Sequence, residues 1–192
     1  MNPNLTPGSR VLVLLAVLLL LAFAPFAAAQ SGENVLLVVN QASETSVRIG
    51  DYYARTRRVP PDNILRISVA IKDEVTRADY ERQIEASVVA WFGRTLAHDR
   101  IVYIVLTKGV PLRVAGSSGR GGTLASVDSE LALLYRKMTG ERVSLVGPLP
   151  NPYFLGDQAP EEAQPFSHRE QDVFLVTRLD SRTTNSPFTL MV

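Results

Sequence analysis

The chain has 192 residues, 20 basic and 19 acidic side chains, no cysteine, and 46% hydrophobic residues. Without cysteine there is no disulfide framework, no thiolate nucleophile and no cysteine-ligated zinc, so packing must carry the stability. The near-zero net charge supplies no general field for nucleic acid or an anionic membrane surface.

Residues 1–29 read as a secretory signal peptide. Arg10 and the amino terminus precede an apolar run at 11–27, and Ala27-Ala28-Ala29 before Gln30 fits the small-x-small cleavage rule. An uncleaved anchor would need about 20 spanning residues, and Pro25 with the alanines marks a cleavage region instead. The protein is thus expected to be exported, periplasmic or extracellular, and to meet the membrane only through this leader. No cysteine follows the run, so a thiol-linked lipid anchor is excluded. Arg10 is the leader's only charge, which leaves 19 basic and 19 acidic residues in 30–192.

Residues 30–180 form one domain's worth of chain. "NVLLVVN" at 34–40 is the continuous apolar run of a strand buried on both faces. Ser43 caps a helix reaching Arg57, ended by Pro60-Pro61. A second strand is predicted at 64–70. Thr76 followed by Asp79 resembles a capping box, after which Tyr80, Ile84, Val88, Trp91 and Phe92 share one face of a helix reaching Leu96. "IVYIVLT" at 101–107 is the third strand, with "VPLRV" at 110–114 as its extended continuation. Ser126 caps a third helix through Val127, Leu131, Leu134 and Met138, stopped by Gly140. A proline-rich connection at 147–166 precedes a fourth strand at 172–180. Alternating strands and helices predict a three-layer α/β fold with a mainly parallel sheet and flanking helices, of caspase or flavodoxin type.

In such sheets ligands sit beyond the carboxyl ends of the strands. Lys108 and Arg178 are placed there to hold a carboxylate or phosphate, with Asp180 orienting the arginine, or else they are solvated strand ends in ordinary ion pairs. "GSSGRGG" at 116–122, with Arg120, offers either an anion cradle or a flexible connector, and it matches no nucleotide-binding glycine motif. Asp128, Ser129 and Glu130 fall in the first turn of the third helix, where capping accounts for them, although paired carboxylates also serve as acid and base or bind calcium. His98 and His168 stand alone in loops. No G-x-S-x-G or H-E-x-x-H motif occurs, and no cofactor or metal is called for.

"NVLLVVNQASETSVRIGDYYARTRRVPPDNIL", "RADYERQI", "VYIVLTKGVPLRV", "SVDSELALL", "GPLPNPYFLG" and "FLVTRLD" together resemble a bacterial family of exported proteins without an assigned activity. More distantly, "YIVLTKGVPLRV", "SVDSEL" and "FLVTRLD" are similar in order to the caspase-like domain of gingipain-like cysteine peptidases. That resemblance implies a dyad of a His-Gly histidine and a cysteine on later strands, and neither is in this chain, so no catalytic residue carries over. Residues 181–192 depart from the pattern like a truncated or frame-shifted tail, which leaves one flank of the sheet exposed and open to a protein partner. Three readings follow: a binding or interaction domain without activity of its own, the first half of a caspase-like hydrolase, or an anion binder using Lys108, Arg120 and Arg178.

Overall fold

The computed structural model describes residues 31–180 apart from 141, 142, 145, 153, 155, 160, 161 and 163–165. The expected leader and the 181–192 tail lie outside them. In chain order the elements are β1 (Val35–Asn40), α1 (Glu44–Arg57), β2 (Ile64–Ile67) and β3 (Glu74–Val75). Next comes α2, in which Arg77–Asp79, a π-helical stretch Tyr80–Glu85 and Ala86–Thr95 follow without a break. Then come β4 (Tyr103–Thr107), β5 (Arg113–Val114), β6 (Ala125–Ser126), α3 (Val127–Ala132), α4 (Leu134–Met138), α5 (His168–Gln171) and β7 (Leu175–Leu179).

All six residues of β1 are buried. A strand with no polar alternation has no face to give to water, so it must lie inside a sheet covered on both sides. The main sheet accordingly runs β2-β1-β4-β7, parallel throughout. Leu36 and Val38 join a core built with Tyr80, Ile84, Val88, Trp91 and Phe92 of α2 and Val127, Leu131 and Leu134 of α3 and α4. Leu37 and Val39 face the other way, against Val47, Tyr53 and Ala54 of α1. The fold is therefore a three-layer α/β arrangement of a parallel sheet and flanking helices. On the α1 side the layer thins out over β7, where Leu175 and Leu179 are half-buried and Thr177 is exposed.

Four elements differ from their sequence reading, each for a visible reason; the fourth strand begins at Leu175 and not at Asp172, because Asp172 turns the chain at φ +51. β2 stops at Ile67 because the Asn40 side chain takes both backbone groups of Val69, bonding its N–H at 3.1 Å and its carbonyl at 2.9 Å. The "VPLRV" segment does not continue β4: Gly109 turns the chain at φ +98, and β5 pairs instead with β3 and β6 in a second small sheet. The third helix breaks at Leu133, whose φ −77 and ψ −5 tighten the turn, yet Val127, Leu131 and Leu134 still face the core.

Close approach of α1 to the sheet requires a glycine. A Cβ on Gly50 would lie 2.5 Å from Cγ2 of Val39. Gly50→Ala gains about 1 kcal/mol of helix propensity, but overpacking costs about 1–3 kcal/mol. The expected outcome is a lower melting temperature for Gly50→Ala, restored by adding Val39→Ala, in thermal denaturation of residues 30–192.

Candidate functional site

The parallel sheet changes direction between β1 and β4, where a crevice beyond the strand ends would be expected. That position is filled by protein. Asn40, fully buried, uses its whole side-chain amide: Oδ1 accepts from the N–H groups of Ala42 and Val69, and Nδ2 donates to the carbonyls of Val69 and Gly109. Beside it, the Asn40 N–H donates to Ser46 Oγ, which meets Thr107 Oγ1 at 2.5 Å, and Thr107 donates on to the Val38 carbonyl at 3.0 Å. The direction is consistent, each hydroxyl accepting from one neighbour and donating to the next. Gly109 fits against this plug, since a Cβ there would lie 2.6 Å from Ser43 Oγ.

The charged residues proposed for this edge are held by different partners. Arg178 is 11% exposed at its side chain and pairs with Asp128, Nη2 to Oδ1 at 2.5 Å. It also donates to the carbonyls of Val110 at 2.6 Å and Pro111 at 3.0 Å. Asp128 rather than Asp180 thus orients the arginine. Asp180 faces Lys108 instead, at 3.4 Å, with both side chains about one-third or more exposed. Arg178 therefore staples β7 to the β5 approach and to α3. Arg120 is exposed on the 116–123 loop, whose amides turn inward: the Thr123 and Leu124 N–H groups bond the Ser117 carbonyl, and the Ser117 N–H bonds Thr123 Oγ1.

A second cluster was not legible as a unit. Glu130 is 3% exposed and joins Arg77 of α2 at 2.7 Å and Lys137 of α4 at 3.2 Å, while Lys137 also meets Glu85 at 2.7 Å. First-turn capping therefore does not account for Glu130. Its position three residues after Val127 and one before Leu131 puts it on the buried helical stripe, the signal that could have revealed it. A carboxylate there must be paired, and removing it would leave Arg77 without its carboxylate while Lys137 keeps Glu85. Tyr80, at the start of the π-helical stretch, lies fully buried in the same cluster, and its hydroxyl makes no hydrogen bond of normal geometry. Burial first, and then the negative charges of Glu85 and Glu130, push its phenol well above the ordinary range.

Neither histidine is placed as a catalyst. His98 lies at 3.6 Å from Asp99, outside the sheet's carboxyl edge. His168 is buried, stacked on Tyr135 at 4.4 Å, with Nδ1 at 3.0 Å from the Val173 carbonyl and Nε2 at 2.8 Å from that of Ile101. Among the described residues no group of three or more His, Cys, Asp or Glu is arranged to hold a metal ion.

Open space is found elsewhere. A cavity of about 670 Å³ lies between α3, the turn at 147–152 and the start of β7. Val173, Phe174, Leu175 and Val176 line it from below, Ser126, Ser129 and Ala132 from α3, and Pro148, Pro150 and Pro152 from the connection. Among the described residues lining it Glu130 is the sole charged one, and its carboxylate is already paired. Such a space suits a ligand with uncharged, largely apolar side groups.

The buried phenol makes stability depend on alkaline pH. Because the folded-state value is raised above the ordinary phenol value of about 10, the unfolded chain loses this proton first. Tyr80 therefore contributes its full stability below about pH 10 and loses it as pH rises further. Tyr80→Phe should leave stability at pH 7 nearly unchanged and flatten the decline above pH 10 by up to about 1.4 kcal/mol per pH unit. Urea melts at pH 8, 10 and 11 measure this, and parallel declines for the two proteins would contradict it. Comparison with family models, with curated proteins and with solved structures finds no match to this chain.

Proposed function

We propose that this chain is an exported ligand-binding domain without catalytic chemistry of its own, and that the cavity beside β7 is its binding surface. The observation that carries the reading is a contrast within the molecule. Where the sheet offers chemistry, at the ends of β1, β4 and β7, the polar groups are engaged with one another. Where it offers volume, the described lining residues include no cation and no unpaired carboxylate. Binding of neutral apolar groups needs only such a preformed concave surface, whereas hydrolysis needs a positioned nucleophile and base. The anion-binding reading is weakened by the same contacts, because Arg178 already satisfies Asp128 and two carbonyls. Export is supported by the apolar run at 11–27 and the alanines that follow it.

Two measurements test these claims separately. Full-length chain produced in a Gram-negative host should be recovered from the periplasm with Gln30 as its first residue, read by intact mass. Recovery of unprocessed chain in the membrane fraction would contradict export. For the cavity, fluorescence of the uncharged dye N-phenyl-1-naphthylamine with residues 30–192 is expected to show a saturable site that Ala132→Trp, which fills the space, weakens about tenfold or more. Equal dye affinity in the two proteins, both folded by circular dichroism, would remove the cavity as a binding surface.

A further inference from the structure

At the sheet edge opposite β7, beside β2, an open depression of about 670 Å³ is bordered by three arginines. One side is the turn at 61–63 with Arg66 of β2, and the other is Trp91, Arg94 and Thr95 of α2, with Arg100 from the loop before β4. All its lining residues are described, and Asp62 is the only acidic one among them. The Trp91 indole N–H donates to the Asp62 carbonyl at 2.9 Å, which ties the two sides together at a fixed spacing.

The three guanidinium groups are not used alike. Arg66 pairs with Asp51 at 3.1 Å, both side chains being more than one-third exposed. Arg100 donates to the Glu33 carbonyl at 3.2 Å and to Asn63 Oδ1 at 3.4 Å, two neutral oxygens. Asn63 is 1% exposed and is fixed in turn by donating from Nδ2 to the Glu33 carbonyl at 3.0 Å. A buried side chain thus orients Arg100 without neutralising it. Arg94, exposed in the last turn of α2, has no side-chain hydrogen bond or ion pair among the described residues, and neither has the Asp62 carboxylate. The helix dipole favours a cation at that end, but it occupies none of the five guanidinium donors.

We propose that this depression binds a phosphate group, with Arg94 and Arg100 as the groups that grip it and Arg66 beside them. Two arginines on different elements, neither with a carboxylate partner, match a group that carries up to about two charges and three acceptor oxygens. A carboxylate brings one charge and two coplanar oxygens, which a single guanidinium fork already satisfies. The same chemistry is offered by a soluble phosphate and by a phosphate headgroup at a membrane surface. The site lies at the opposite edge of the sheet from the cavity beside β7 and does not depend on it.

Trp91 is the chain's only tryptophan and lines the depression, so its fluorescence reports occupancy. Inorganic phosphate is titrated into residues 31–192, a compact unit of their own, with chloride holding the ionic strength constant. The expected result is a saturable change that Arg94→Ala and Arg100→Ala each weaken about tenfold or more, and that Arg113→Ala, on the second small sheet, leaves unchanged. Arg94 is exposed and bonds no described residue through its side chain, so Arg94→Ala decides the matter even where Arg100→Ala does not fold. Equal phosphate affinity in Arg94→Ala and the parent chain, or an equal loss in Arg113→Ala, would overturn the proposal and leave general surface charge in its place. Acetate binding as tightly as phosphate would overturn the choice of phosphate. Sedimentation with vesicles containing phosphatidic acid, compared with phosphatidylcholine alone, identifies the source. Co-sedimentation that Arg94→Ala abolishes assigns the group to a lipid, and saturation by free phosphate without co-sedimentation assigns it to a soluble ligand. No response to either probe would overturn the site.

Discussion

The sheet depends on β1 having no solvent side. Six successive buried residues compel a strand on each flank and a helical layer on each face, and the remaining elements are placed by that demand. α1 meets the face carrying Leu37 and Val39, and α2 with α3 and α4 meets the face carrying Leu36 and Val38. Gly50 is the point where the demand is tightest, because the helix backbone there comes close enough to Val39 to exclude a side chain.

The same strand decides what the carboxyl edge can do. Its last residue, Asn40, carries the one side chain at that position able to bond two donors and two acceptors, and it spends all four sites on the neighbouring backbone. Closing the crevice in this way ends β2 early and fixes the Gly109 turn that sends the chain into the second small sheet. The described open space lies instead at the flank, where β7 has an outer edge and no described strand beside it.

The charged groups follow a related logic. Asp128 and Glu130 are two residues apart on a six-residue helix yet serve different contacts, because helical geometry turns them about 200° from each other. Asp128 faces β7 and fixes Arg178, and Glu130 faces inward and ties α3 to α2 and α4. In the observed arrangement both carboxylates are ties between layers, a role beyond the first-turn capping by which the sequence accounts for them.

Periodicity sufficed for the strands at 34–40 and 101–107, for the latter part of the one read at 172–180, for the helix from Ser43 to Arg57 and for the Ser126 cap, because each is set by nearest neighbours: a run of β-branched residues, a side-chain cap, a following proline. It also placed Lys108, Arg178 and Asp180 at the carboxyl ends of the strands. Partner choice was beyond it. That Arg178 meets Asp128, 50 residues away, and not Asp180, two residues on, depends on α3 packing over β7. The break at Leu133, the early end of β2, the burial of His168 against the Ile101 carbonyl and the cavity beside β7 are all consequences of contacts between segments distant in sequence. By itself the sequence determined the alternation of elements and hence the α/β class, since hydrophobic period and capping act within a few residues. Only the tertiary structure decided which polar groups satisfy each other and which strand edge stays unpaired, since those depend on where remote backbone atoms come to lie.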